Sequence, residues 1–323
     1  NPLQQPYTMP AAYGNSYFSY QASVPQPEYY ELPFQQVPGY HLTGLRFPSS
    51  EQNGQPGNLV DARYFRSNRS GPKPLLIVLP VWATHTFPAM VISNGYTQHS
   101  DGEANVLWLK GDGALFDWFK LAKIDNEAEF THEVEQATER FRAVAIDTRR
   151  LIDWAETQPE IDSSRIAIIG FSMSAIVGAN VAGTDSRINT AVYVLGGARP
   201  WDMMAECNLF VEYMRKQVSA DLGWDQEQYR EFFRGHLGQG DREASEQAHE
   251  RGERIARVER RLDPHHPATR RRPEAGELLG RKRAGGLHPR HRLGLVVLSR
   301  EQRAPGDRRV VRRHLADRHV RVE

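Results

Sequence analysis

The sequence lacks the residues that disulfide frameworks, metal clusters and membrane helices require. Cys207 is the only cysteine among 323 residues, so neither a disulfide nor a cysteine-based metal site forms within one chain. No apolar run approaches the roughly 20 residues of a transmembrane helix, and no histidine–carboxylate spacing indicates a metal. The glycines at 111, 113, 196 and 197 complete neither a dinucleotide fingerprint nor a phosphate loop. We therefore predict no cofactor, no metal and no membrane span.

The last part of the chain also lacks large apolar residues. No Phe, Tyr or Trp follows Phe233, no Met follows Met214, and Lys282 is the only lysine beyond Gly240. From Gly240 onward there are 22 basic and 13 acidic residues, a net charge of +9, whereas the preceding part has a net charge of −8. Such a segment buries too little surface to offset the entropy cost of ordering it. We predict that residues 239–323 form an Arg-rich tail, in which only residues 293–298 resemble a strand.

Two explanations of this tail stay open. It is either a real basic extension or an out-of-frame translation of GC-rich DNA, because Arg, Ala, Gly and Pro have GC-rich codons whereas Phe, Tyr, Ile, Lys, Asn and Met need A or T. A tail selected for its charge would use lysine as well as arginine, so the near absence of lysine favours the second explanation. The coding DNA, read in all three frames, tests it.

Residues 1–40 are rich in Pro, Gln and Tyr, and we predict an extended segment for them. The chain begins at Asn1 rather than at methionine, so we expect a fragment or a processed product. No signal peptide is visible, and the compartment stays undetermined.

Residues 41–238 read as an α/β core. Strands are predicted at 41–47, 58–66, 73–80, 104–110, 165–169 and 189–195, and the apolar run at 73–80 is typical of a strand buried on both faces. A long helix is predicted from Asn126, with Glu129 completing a capping box, to a stop before Pro159. Further helices are predicted at 201–218 and from Asp225, and this region, residues 201–238, either packs on the sheet or forms a lid over the site. Alternating strands and helices predict a parallel sheet.

The most informative motif is Gly170-Phe171-Ser172-Met173-Ser174. A short apolar strand precedes it and a run of small residues to Gly183 follows it, which is the strand–turn–helix order of a nucleophile elbow. Residues 165–183 resemble the elbow of the α/β-hydrolase superfamily, and residues 160–166 are similar to the turn that enters it in bacterial enzymes of the dienelactone hydrolase and prolyl-oligopeptidase-type esterase branch. Ser174 departs from the usual second glycine. The resemblance implies an α/β-hydrolase-like, mostly parallel sheet flanked by helices, with its C-terminal strands missing or disordered.

The resemblance also implies acyl transfer through a covalent intermediate. Ser172 would attack an ester or amide carbonyl, and the backbone N–H of Met173 would bind the oxyanion. A second N–H would come from the loop after the strand at 73–80, where Val81 or Trp82 is the candidate. That loop lacks the glycine-rich signature of many lipases.

The catalytic acid and base are harder to place, because the superfamily order of Ser, acid, His puts both beyond residue 238. Asp202, just after the strand at 189–195, is a fallback acid, and its alternative role is to cap the next helix. His132 lies on the polar side of the long helix, and for His85 a pocket role is favoured over a base. The catalytic histidine of the superfamily follows the last strand, but none of the tail histidines follows a recognisable predicted strand in this way. These histidines are His249, His265, His266, His288, His291, His314 and His319.

The sequence therefore predicts a serine hydrolase of carboxylic esters, less readily of peptides, whose activity is crippled if the acid and base are absent. Its partner would be a small ester or acyl substrate. The alternatives are a pseudoenzyme that binds a ligand without turnover, and a protein whose Arg-rich tail binds nucleic acid or another polyanion. The interspersed acids and missing aromatics of the tail argue against nucleic acid. The oligomeric state is not predicted.

Overall fold

A computed structural model describes residues 17–20, 24–32, 37–50, 59–81, 87–111, 115–196, 200–208, 210–250 and 295–299. Eight strands form one sheet: β1 (Glu28–Glu31), β2 (Tyr40–Pro48), β3 (Leu59–Ser67), β4 (Lys73–Val78), β5 (Asn105–Lys110), β6 (Ile161–Phe171), β7 (Ile188–Val194) and β8 (Leu295–Ser299).

The sheet has the order β1-β2-β3-β5-β4-β6-β7-β8. Its four central strands, β5, β4, β6 and β7, pair in parallel, and the strands on either side pair antiparallel. β4 is buried on both faces, which explains its continuous apolar sequence. Because the central strands are parallel, the carboxyl ends of β4, β5, β6 and β7 meet at one edge of the sheet, where open α/β sheets bind their ligands. The predicted fold class is confirmed.

The helices that cover this sheet are α1 (Phe87–Ser100), α2 (Trp118–Leu121), α3 (Glu127–Ala155), α4 (Met173–Thr184), α5 (Pro200–Glu206), α6 (Phe210–Leu222) and α7 (Gln226–Glu250). The N-cap predicted at Asn126 is confirmed, because its Oδ1 accepts the N–H of Glu129 at 2.8 Å, and Glu129 Oε2 accepts from the side-chain Nδ2 of Asn126 at 2.9 Å rather than from its backbone N–H. Among the described residues, no helix is long and apolar enough to cross a membrane.

The single helix predicted at 201–218 is wrong, since α5 and α6 are separate helices. Arg215 of α6 explains the break. Its Nη1 donates to the carbonyl oxygens of Met204 and Cys207, at 3.1 and 3.2 Å, and so satisfies carbonyls that the end of α5 leaves unpaired. A cap supplied by another helix has no local sequence signal.

The helix predicted from Asp225 is α7, and its capping partner Gln228 is also confirmed, since the N–H of Gln228 donates to Asp225 Oδ1 at 2.8 Å. At 25 residues α7 is longer than expected. It packs closely on α4, since a Cβ placed on Gly183 would lie 2.7 Å from that of Ala244. This contact extends the ordered chain beyond residue 238, where the tail was predicted to begin.

Residues 17–20 form a short segment, here called the N-terminal strap, that joins α3 to α7. The N–H of Tyr17 donates to Glu243 Oε2 of α7 at 2.5 Å, and Arg149 Nη1 of α3 donates to the carbonyl oxygen of Phe18 at 2.9 Å. Phe18 is buried, and a Cβ on Gly240 would lie 2.8 Å from its ring. With β1, the strap gives the Pro/Gln/Tyr-rich segment a packed role that its composition does not indicate.

β8 lies in the tail and coincides with the strand-like run noted at 293–298. It pairs antiparallel with β7, from Leu295 opposite Val194 to Ser299 opposite Thr190. Most of the remaining tail, including residues 251–294 and 300–323, lies outside the described residues.

Candidate active site

Ser172 is the single residue between the end of β6 and the first residue of α4. Its backbone has φ 51° and ψ −117°, a conformation that a non-glycine residue adopts only under strain. Strain of this kind costs of the order of 1–3 kcal/mol and is concentrated at functional sites. The strand–turn–helix order and the strained serine together have the geometry of a nucleophile elbow.

Hydrogen bonds to neighbouring segments hold the turn in place. The N–H of Ser172 donates to the carbonyl oxygen of Val194 at 2.8 Å, which ties the turn to the end of β7. The N–H of Ala175 donates to the carbonyl oxygen of Ser172 at 3.0 Å. The hydroxyl of Ser174 accepts from the N–H of Phe171 and donates to its carbonyl oxygen.

Two glycines allow the backbone segments to approach closely. A Cβ on Gly170 would overlap the backbone carbonyl oxygen of Ser174, and a Cβ on Gly196 would overlap the Cβ of Ala175. Gly170 is the first glycine of the motif, so its role was readable from the sequence. Gly196 lies two residues after the end of β7, and the sequence analysis noted it only as part of an incomplete phosphate loop.

Ser172 is half-buried, so its hydroxyl is not sealed inside the core. Within the described residues, the hydroxyl does not cap its own helix. Met173 is the first residue of α4, and an N–H at that position has no acceptor within the helix. The positive end of the helix dipole also favours negative charge there. The local arrangement therefore suits a nucleophile with one oxyanion donor beside it.

The second oxyanion donor was predicted in the loop after β4. The N–H of Leu79 donates to the carbonyl oxygen of Ile169 at 2.9 Å, which keeps the chain after β4 beside the end of β6. Val81 follows two residues later and is half-buried. Trp82 and His85 lie outside the described residues, so the choice between Val81 and Trp82 stays a prediction.

Asp202, the fallback acid, lies in the first turn of α5. Its Oδ1 is 3.3 Å from Nε of Arg230 on α7, and Arg230 also forms ion pairs with Glu206 and Glu227. This network connects α5 to α7. The role of Asp202 as a catalytic acid stays a prediction.

Three of the described histidines, His99, His132 and His236, have polar contacts within their own helices. Nδ1 of His99 lies 2.7 Å from the carbonyl oxygen of Gly95, and Nδ1 of His236 lies 2.7 Å from that of Phe232. His132, on α3, is close to Gln136. Within the described part of the chain, no histidine is hydrogen-bonded to Ser172. The side chains of the tail histidines lie outside the described residues.

Leu195, which directly follows β7, was missed by the sequence analysis. It has φ 57° and its side chain is 49% exposed. The only sequence signal was its place at the end of a predicted parallel strand, on the same edge as Ser172. In the described residues, no group of His, Cys, Asp and Glu is arranged to hold a metal ion.

Comparison with known proteins gives a family match and distant structural similarities. Residues 83–211, which include the whole elbow, match the phospholipase/carboxylesterase family. The structure is distantly similar to acetyl xylan esterase 1 from Thermoanaerobacterium sp. JW/SL YS485, with 18% identity and a TM-score of 0.45 over 69% of each chain. It is also similar to the acetyl xylan esterase from Paenibacillus sp. R4, with 16% identity and a TM-score of 0.44 over 69% of each chain. No curated protein matches the sequence. The sheet has the mostly parallel order of an α/β-hydrolase fold, and residues 83–211 resemble a family of esterases.

Proposed function

We propose that the protein hydrolyses small carboxylic esters through an acyl-enzyme on Ser172. The observation that carries this proposal is the backbone of Ser172, a strained non-glycine residue between the end of a parallel strand and the start of a helix. An ordinary strand-to-helix turn does not require φ 51° at a serine. The match of residues 83–211 to the phospholipase/carboxylesterase family favours esters over peptides.

In the proposed reaction, each part of the elbow takes part in forming and hydrolysing the acyl-enzyme. Oγ of Ser172 bonds to the carbonyl carbon of the ester, and the carbonyl π electrons move onto the oxygen, where the N–H of Met173 stabilises the charge. The proton of the serine hydroxyl passes to a general base. Collapse of the tetrahedral intermediate breaks the bond to the alcohol oxygen, which takes up that proton. Water then attacks the acyl-enzyme by the same steps and releases the acid.

Labelling with a fluorophosphonate tests the nucleophile directly. Oγ of an activated serine bonds to phosphorus, fluoride leaves, and the hydroxyl proton is lost. We expect one adduct, on the peptide that contains Ser172, and no adduct in Ser172→Ala. The matched control is Ser163→Ala, which removes an exposed hydroxyl at the other end of β6 and should still label. A folded protein with no adduct on Ser172 would show that the serine is not activated.

A pseudoenzyme is the second candidate, because no histidine among the described side chains is hydrogen-bonded to Ser172. Loss of a catalytic base leaves about 10³–10⁴-fold acceleration over water, from the oxyanion site and substrate binding. The rate of p-nitrophenyl acetate hydrolysis separates the two candidates. Turnover that exceeds this residual range and disappears in Ser172→Ala supports the enzyme, whereas a rate equal to that of Ser172→Ala supports the pseudoenzyme.

A further inference from the structure

Leu195 combines two unfavourable features at the end of β7. Its φ of 57° lies in the left-handed region, which glycine and asparagine adopt more readily than a branched apolar residue. Its side chain is also 49% exposed, although leucine is among the residues most often buried. A glycine would adopt the same backbone conformation at lower cost. The turn by itself therefore does not account for a leucine at this position.

Both sequence neighbours of Leu195 lie next to the elbow. The carbonyl oxygen of Val194 accepts the N–H of Ser172 at 2.8 Å. On the other side, a Cβ placed on Gly196 would lie 3.3 Å from the carbonyl oxygen of Ser172. Leu195 is thus fixed between two residues that lie next to the elbow, at the edge where the central parallel strands end. At this edge, Ser172 has a strained backbone and a hydroxyl, and Leu195 has a strained backbone and an exposed apolar group.

We propose that Leu195 is a specificity-determining residue that contacts the acyl chain of the substrate, and that the enzyme prefers esters of apolar acids larger than acetate. The proposal rests on the proposed function of Ser172 and adds the substrate class. The acyl group, rather than the alcohol, is the expected partner because it is bonded to Oγ of Ser172 throughout the acyl-enzyme stage. Its chain then covers the exposed surface of Leu195, and each buried methylene increases binding by about fourfold.

A series of p-nitrophenyl esters tests this proposal, because the leaving group stays constant while the acyl chain grows from acetate to propionate and butyrate. We expect kcat/KM of the wild type to rise along the series. Leu195→Ala should flatten this rise, with about a tenfold loss for butyrate and less than about a twofold change for acetate. Leu195→Gly should reduce the rise of kcat/KM with acyl-chain length by the same amount. It should also raise the midpoint of thermal unfolding, because glycine relieves the backbone strain.

The matched control is Tyr96→Ala. Tyr96 is also an exposed apolar residue, but it lies in the second half of α1, which leads to the amino end of β5 and so to the opposite edge of the sheet. The acyl-chain profile of this variant should equal that of the wild type.

Three results would overturn the proposal. The first is a kcat/KM that rises from acetate to butyrate as steeply in both Leu195 variants as in the wild type, while Ser172 is still labelled by fluorophosphonate. This result would exclude a specificity role for Leu195 and leave the proposed function intact. An equal loss for all three esters, accompanied by loss of labelling, shows that Leu195 only supports the elbow. A wild type that neither labels nor hydrolyses any ester removes both the proposed function and this inference.

Discussion

The hydroxyl of Ser174 accepts a hydrogen bond from the N–H of Phe171 at 2.7 Å and donates one to the carbonyl oxygen of the same residue at 2.9 Å. The side chain thereby closes the turn across Ser172. This explains the departure from the usual motif, because a second glycine would fit the space but supply neither bond. Ser174 is fully buried, so water does not replace the lost partner of Phe171.

Ser174→Ala should therefore destabilise the protein by about 1–3 kcal/mol, the cost of leaving a buried polar group unpaired. Urea unfolding followed by tryptophan fluorescence measures the change. Ser163→Ala, at an exposed position, serves as the control and should change the free energy of unfolding by less than about 0.5 kcal/mol. Equal unfolding midpoints for Ser174→Ala and the wild type would contradict this role.

Gly170→Ala should disrupt the elbow, since the added Cβ would overlap the backbone carbonyl oxygen of Ser174. Backbone does not move aside as a flexible side chain does, so we expect a loss of about 1–3 kcal/mol in stability and a loss of fluorophosphonate labelling. The control is Gly235→Ala in α7, where nothing lies within 4 Å of the added Cβ. That change should stabilise the helix by up to about 1 kcal/mol. A labelled and stable Gly170→Ala would show that the turn has room to relax.

The environment of Asp185 predicts how the free energy of unfolding changes with pH. Burial by itself would raise the pKa of Asp185, but the hydrogen bond and positive charge of Arg187, together with the charge of Arg149, lower it below its ordinary value. A carboxylate with a lowered pKa in the folded state stabilises the protein above its unfolded pKa of about 3.9, and this stabilisation is lost as the pH falls through the folded pKa.

Asp185→Asn should lower the free energy of unfolding by about 3 kcal/mol at pH 7, because Arg149 and Arg187 lose a buried carboxylate, although Arg187 keeps its ion pairs with Asp153 and Glu156. It should also flatten the fall in stability below about pH 4. Asp162→Asn is the matched control, because its pKa is also lowered, by hydrogen bonds from Ser164 and Arg165, but its partner Arg165 is exposed. For Asp162→Asn we expect a loss of less than about 1 kcal/mol in the free energy of unfolding. Unfolding midpoints measured from pH 3 to pH 7 give both quantities, and equal effects of the two changes would contradict the argument.

The sequence predicted those elements whose pattern is local. The apolar stripe of α3 and the N-cap at Asn126 lie within one segment, so they were readable without tertiary structure. The same holds for the buried central strands and for Ser172, whose motif includes its own strand and helix. The break between α5 and α6 was missed because its cap is Arg215, a residue of the second helix. Leu195 was missed because its conformation depends on the close approach of Gly196 to α4.

The catalytic acid and base could not be identified from the sequence for a different reason. In this superfamily they come from loops far along the chain, and their identification depends on recognising the strands before those loops. The tail has no such periodicity apart from β8, whose antiparallel pairing with β7 differs from the parallel pairing of the central strands.

The N-terminal strap also constrains the order in which a ribosome can complete this fold. Tyr17 hydrogen-bonds to Glu243, a residue 226 positions later. Residues 17–20 are therefore synthesised long before α7, and until α7 follows only the α3 part of their docking surface is available. Until then the ring of Phe18 also lacks its contact with Gly240 of α7. The strap thus docks completely only after α7 has been synthesised, so this part of the fold forms late.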